Sequence, residues 1–210
     1  MPRALRPTDR TRPRKVARQE RAKVTVGALL EATGIVIVKV GYARATTNRI
    51  AEVAGVNIAS LYQYFPSKEA LVAALIDRHF EEVFLRVGAE LAPSSEVRGR
   101  DVARALVRSY FELFQNAPEL HAALHRCTHA VRRVEALEDA RVVVVKRVAA
   151  MLDAVASELR VDDRELAAFT VVHAVEALAI AAFTHRTEDL RSGRAAESAT
   201  EVVVRYLFDL

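Results

Sequence analysis

Residues 46–71 read TTNRIAEVAGVNIASLYQYFPSKEAL. Small or apolar residues stand at Ile50, Ala51, Ala54, Val56, Ile58, Leu61 and Phe65, and Gly55 separates two periodic runs. Two helices crossing steeply over a short turn need small or closely fitting apolar side chains where they touch. The turn itself needs a residue tolerant of positive φ. This stretch meets each demand in turn, so it predicts a helix-turn-helix. Thr46 or Thr47 can cap the first helix, and Ser67 the helix that follows. Asn57, Ala59, Ser60, Tyr62, Gln63 and Tyr64 are then left for the outward face. Amides can read adenine edges, while hydroxyls and phenols reach phosphates or thymine methyls. The plainer alternative is a helical hairpin with an ordinary polar face.

The flanks favour the DNA-reading alternative. Upstream, RALRPTDRTRPRKVARQERAK (3–23) is dense in Arg and Lys and broken by Pro7 and Pro13. Over residues 1–17 such a sequence predicts a disordered basic arm. A solubilising tail or an Arg-rich transit sequence would look similar. An arm beside a reading helix suits phosphates or a minor groove. Downstream, Lys68 sits at the start of a long amphipathic stretch reaching about residue 91. Between arm and motif, Val26, Leu29, Leu30, Ile37 and Val40 keep helical spacing, with Thr33 in the gap. TGIVIVKV (33–40) conflicts locally, because β-branched residues and Gly34 favour strand by propensity alone. The longer period and Gly41 as a stop favour helix.

Residues 41–76, GYARATTNRIAEVAGVNIASLYQYFPSKEALVAALI, resemble the DNA-binding segment of the TetR/AcrR family of bacterial transcriptional regulators. The family's TT..IA..AGVS.G.LY.YF.SKE.L pattern is almost intact. Asn57 stands where Ser is common and Ala59 where Gly is common, both on the expected reading face. The resemblance implies phosphate contact by Thr47 and base-edge contact by Asn57, Ala59, Ser60 and Gln63. It implies phosphate, sugar or methyl contacts for Tyr62 and Tyr64, and a phosphate for Lys68 at a helix start. It further implies a homodimer on a palindromic DNA operator, released by a small-molecule effector.

The remainder reads as helix throughout. The chain has 210 residues with only 7 Gly and 6 Pro, a composition that suits an all-α protein. APSSEVRGR (92–100) is a break. Expected helices follow at 101–115, 118–134, 138–159, 162–185 and 195–208. The implied organisation is an arm (1–17), a helix-turn-helix domain (18–66), a linking helix (67–92) and an effector-binding and dimerisation domain (93–210). Tyr110, Phe111, Phe114 and Phe169 supply bulk for a ligand cavity, with His125, His129 and His173 as polar partners. Helix 162–185 is apolar nearly all round and must be covered on two sides. With 195–208 it is the expected intersubunit bundle, as the resemblance implies. His173 and Glu176 in its middle argue against a membrane span.

His121, His125 and His129 are spaced by four, so a helix would carry them on one face. A metal-responsive sensor is therefore the competing reading. No nucleophile–base set or Gly-rich phosphate loop gives a case for catalysis, and no cofactor is implied. Cys127 is the single cysteine, which excludes an intrachain disulfide and fits a reducing cytoplasm. No signal-peptide apolar segment follows the N-terminus.

Overall fold

A computed structural model describes residues 14–90, 99–132 and 134–209. The described residues form ten α-helices: α1 (Arg14–Val40), α2 (Thr47–Ala54), α3 (Ile58–Tyr64), α4 (Lys68–Glu90), α5 (Gly99–Gln115), α6 (Pro118–Cys127), α7 (Val134–Ala154), α8 (Arg164–His185), α9 (Thr187–Arg191) and α10 (Arg194–Leu207). A 3-10 turn, Ala156–Glu158, and an isolated Leu159–Phe208 bridge close the gap between α7 and α8. The expected arm largely lies outside the described residues. Arg14 to Ala17 are already helical, so α1 starts earlier than the Pro-broken composition suggested. The break around 91–98 also lies outside them.

α1, α2, α3 and the start of α4 build one core. Leu29, Ile50, Leu61, Leu71, Val72 and Ile76 are fully buried there. Each such side chain contributes about 1.5–3 kcal/mol relative to exposure. The TGIVIVKV segment is helical: Val36 and Ile37 join this core, while Ile35 and Val38 face out. Tertiary burial at helical spacing overrides the β propensity of the segment. Gly34 serves contact rather than flexibility, because a Cβ there would sit 3.1 Å from Leu120 Cδ1.

Thr46 caps α2 by accepting from the Arg49 N–H. At its other end Gly55 takes φ +64, and the Val56 and Gly55 N–H groups bond the Ala51 and Glu52 carbonyls. That double bond pattern is a Schellman stop, and a left-handed residue is what it requires. Ser67 Oγ accepts from the Ala70 N–H and starts α4.

A second core joins α5, α7, α8, α9 and α10 around Phe111, Phe114, Leu152, Ala167, Ala179, Leu190 and Val203. α6 bridges the two. The expected helix 118–134 ends at Cys127, and residues 128–132 turn, with Arg132 at φ 55. The short α9 was not anticipated, because five residues carry too little periodicity to read. Along α8, Ala167, Ala168, Val175, Ala179 and Phe183 face the core, whereas Leu166, Phe169 and Leu178 are exposed. By length and composition α8 could cross a membrane. Here its buried side packs against α6, α7 and α10.

Candidate DNA-reading face and ligand cavity

α3 is held by Leu61 at no exposure and by Phe65, which closes its C-terminal end. This fixes which side chains can face out. Asn57, Ala59, Tyr62, Gln63 and Tyr64 are exposed, and Ser60 is half-buried. Two of them also serve the fold. Asn57 Oδ1 accepts from the Ala59 N–H at 2.8 Å, capping α3. The Tyr62 hydroxyl lies 3.0 Å from Thr47 Oγ1, tying the middle of α3 to the start of α2. Among the described residues the Gln63 and Tyr64 side chains have no such bond.

Lys68 also has a structural bond. Its ammonium donates to the Tyr42 carbonyl at 3.0 Å and lies 4.3 Å from the Tyr42 ring centroid. The Tyr42 hydroxyl in turn donates to Glu69 at 3.1 Å. The loop after α1 is thereby clamped to the first turn of α4. Backbone N–H donation at that helix start holds the Glu69 carboxyl below its ordinary range, helped by Ser67, Tyr42 and Lys68.

A cavity of about 510 Å³ lies between α4, α5, α6, α7, α8 and α10. That size suits a drug-sized molecule. Tyr110, Phe114, His125 and His173 line it, as the sequence suggested. Three expected residues do not. Phe111 is fully buried in the core behind the wall. Phe169 points outward and is 52% exposed, because the helical turn that buries Ala168 and Ala167 rotates it away. His129 is exposed in the turn after α6.

The same turn undoes the histidine stripe. Helical spacing would keep His121, His125 and His129 on one face, but α6 ends before His129 is reached. Among the described residues no group of three His, Cys, Asp or Glu side chains is arranged to hold a metal ion. The metal-sensor reading is therefore not supported.

His121 is engaged differently. Its Nδ1 lies 2.9 Å from Nε2 of His79 on α4, and both rings line the cavity. Burial pushes His79 down to about 4, with Arg78 adding repulsion. Burial and the neighbouring His79 push His121 down to about 3. Both imidazoles are neutral at pH 7. Also in the lining, Arg141 of α7 meets Glu176 of α8 through two bonds, Nε–Oε2 at 2.5 Å and Nη2–Oε1 at 2.8 Å. Its Nη1 bonds Glu138. Such a two-pronged pair fixes both geometry and charge. Burial raises the Tyr110 phenol well above its usual range, with Glu176 contributing. His79, Arg141 and Glu176 were missed as cavity residues. Residues 42 and 35 positions apart meet here through tertiary packing, and no local spacing signals it.

Residues 29–75 match the bacterial regulatory proteins of the tetR family, and residues 100–207 match the tetracyclin repressor-like C-terminal domain. The chain belongs to the TetR family. Its helix-turn-helix and its helical C-terminal half are those of TetR-family transcriptional regulators. The HTH-type transcriptional activator FasR of Mycolicibacterium smegmatis is 36% identical over 90 residues, which is 43% of this chain and 40% of FasR. The match thus spans under half of that relative. The fatty acid degradation regulator FadR from Bacillus halodurans has a TM-score of 0.70 at 16% identity, covering 86% of this chain and 94% of FadR. SmeT, the repressor of the Stenotrophomonas maltophilia multidrug efflux pump SmeDEF, has a TM-score of 0.68 at 17% identity, covering 88% and 90%. At such identities these likenesses concern the fold. TetR-family regulators bind DNA as dimers and take up small molecules.

Proposed function

We propose that the protein is a homodimeric, cytoplasmic repressor that binds a palindromic operator and leaves it when a small molecule fills the cavity. The observation carrying this reading is that α6 belongs to both halves. His121, Leu124 and His125 line the cavity, while Leu120, Ala123, Leu124 and Cys127 pack into the core that holds α3. A ligand preferring a different position of α6 or α4 acts on the packing that orients the reading helix. It shifts the equilibrium only by its difference in affinity for the two states. A differential of a few kcal/mol empties an operator.

In this reading Asn57, Ala59, Ser60 and Gln63 address base edges, and Tyr62 and Tyr64 meet the backbone or thymine methyls. Thr47 and Lys68 contact phosphates. Lys68 has three N–H donors, so its bond to Tyr42 leaves others for a phosphate. Exposed Leu166, Phe169 and Leu178 on α8, and Val202 on α10, form the dimer face. Two-fold symmetry then sets the reading helices on successive major grooves, about 34–36 Å apart. SmeT is a repressor and has been solved with triclosan, whereas FasR is an activator.

The test is fluorescence anisotropy of the full chain on DNA flanking its own gene, across salt concentrations, followed by run-off transcription. Sequence-selective, salt-steep binding by a dimer and reduced transcription are expected. Binding with no sequence preference overturns the reading.

A further inference from the structure

We infer that the effector is uncharged at neutral pH: a lipophilic molecule whose single hydrogen-bonding group is met by the His79–His121 pair at the ring-lined end of the cavity. This rests on the effector reading above and narrows it to a ligand class.

The wall is mostly aliphatic and aromatic, and its charge inventory is short. Among the described residues the only Arg, Lys, Asp or Glu side chains lining it are Arg141 and Glu176. Arg141 takes both Glu176 oxygens and bonds Glu138 through Nη1, so its charge is already met by two carboxylates. A ligand carboxylate would have to pull Arg141 from its partner. A ligand ammonium would have to do the same to Glu176. Breaking the Arg141–Glu176 pair leaves one member as an uncompensated charge in a partly buried site, which is costly, and the remaining Nη1 of Arg141 is already held by Glu138. An ion that left the pair intact would meet apolar walls or the neutral His79 and His121 rings, and burying it there is also costly.

The cavity is asymmetric. At the end facing α4 and α6, rings stand in a chain. The His79 and His121 centroids are 4.4 Å apart, His121 and Phe114 4.8 Å, Phe114 and Tyr110 5.1 Å, and Phe114 and Phe183 5.4 Å. The other walls carry Val144, Val148, Met151, Leu152 and Val203. The Leu113 backbone also bonds His121, so what the pair keeps for a ligand is the second ring nitrogen of His79. The pair can therefore answer a hydroxyl, phenol or amide, but it presents no cation to an anion. Its weak basicity, produced by burial, keeps it so at neutral pH.

The experiment uses four probes with one body: 4-hexylphenol, 4-hexylbenzoate, 4-hexylbenzylammonium and hexylbenzene. Each is titrated calorimetrically into the full-length chain at neutral pH. The phenol is expected to bind at least about tenfold tighter than either ion. Equal or tighter binding of the benzoate or the ammonium overturns the charge assignment while leaving the effector reading intact. Binding of none of the four overturns the effector reading and this inference with it. The His121→Phe variant locates the headgroup. Its ratio of phenol to hexylbenzene affinity is expected to fall about fivefold toward unity. An unchanged ratio overturns the His-pair assignment, and because it compares two probes on one protein it is insensitive to lost active fraction.

Discussion

On α3, the side chains of Gln63 and Tyr64 stand exposed without a hydrogen bond among the described residues, raised on the buried Leu61 and Phe65. In the cavity, Arg141 is bonded to Glu176 and His79 to His121, each polar group answered by another from a different helix. Both regions combine polar and aromatic side chains, yet they offer different chemistry. The reading face has hydrogen-bonding capacity left over for an external partner. The cavity offers an apolar volume with its charges already compensated. Residues 14–76 thus build a rigid display, and the C-terminal half builds a neutral container, with α6 packed into both.

Four measurements break or sharpen this contrast. The largest effect on DNA binding is expected from Leu61→Ala, which empties a site at zero exposure beneath α3. It should cost about 3 kcal/mol in urea unfolding and abolish DNA binding. Full operator affinity in that variant would show that the display does not depend on its core. The next concerns pH. Both cavity imidazoles have folded values lowered from 6.5, to about 4 and about 3. As pH falls through 6.5 the unfolded chain takes up protons first, so stability drops below that point and levels off only under the folded values. Between pH 7 and 5 the loss should be roughly 2 kcal/mol for each imidazole. Denaturant melts at the two pH values check it, and a flat profile would place the pair in water.

Gly34→Val probes the seam between the halves. Its side chain would press on Leu120, already 3.1 Å from a built Cβ. A cost of about 1–2 kcal/mol is expected, with ligand binding retained but its effect on DNA affinity weakened. Unaltered coupling would remove the α1–α6 contact from the mechanism. The smallest stability change belongs to Gln63→Ala, within about 0.5 kcal/mol as for other surface sites. Operator affinity should nevertheless fall roughly tenfold. Anisotropy titration beside a thermal melt separates the two, and unchanged affinity would remove Gln63 from the reading face.

The helix-turn-helix was legible because its requirements are local. A turn glycine, small residues at the crossing and caps at Thr46 and Ser67 all act within a few residues of where they stand. The same locality misled elsewhere. Asn57 and Lys68 were read as pure display, and they also cap α3 and clamp Tyr42. His129 was placed on a helix that stops at Cys127, because an end without a glycine stop left no mark in the periodicity. Phe169 was assigned to the cavity from its bulk alone, and its rotation on α8 sets it outside.

Taken alone, the sequence determined the all-α class and the helix-turn-helix with its scaffold. These depend on propensity, capping and hydrophobic period, which are written at separations of a few residues. Tertiary structure alone decided which polar groups neutralise one another. His79 meets His121 across 42 positions and Arg141 meets Glu176 across 35. Their charge state is a product of burial and pairing, and neither exists until the helices have packed.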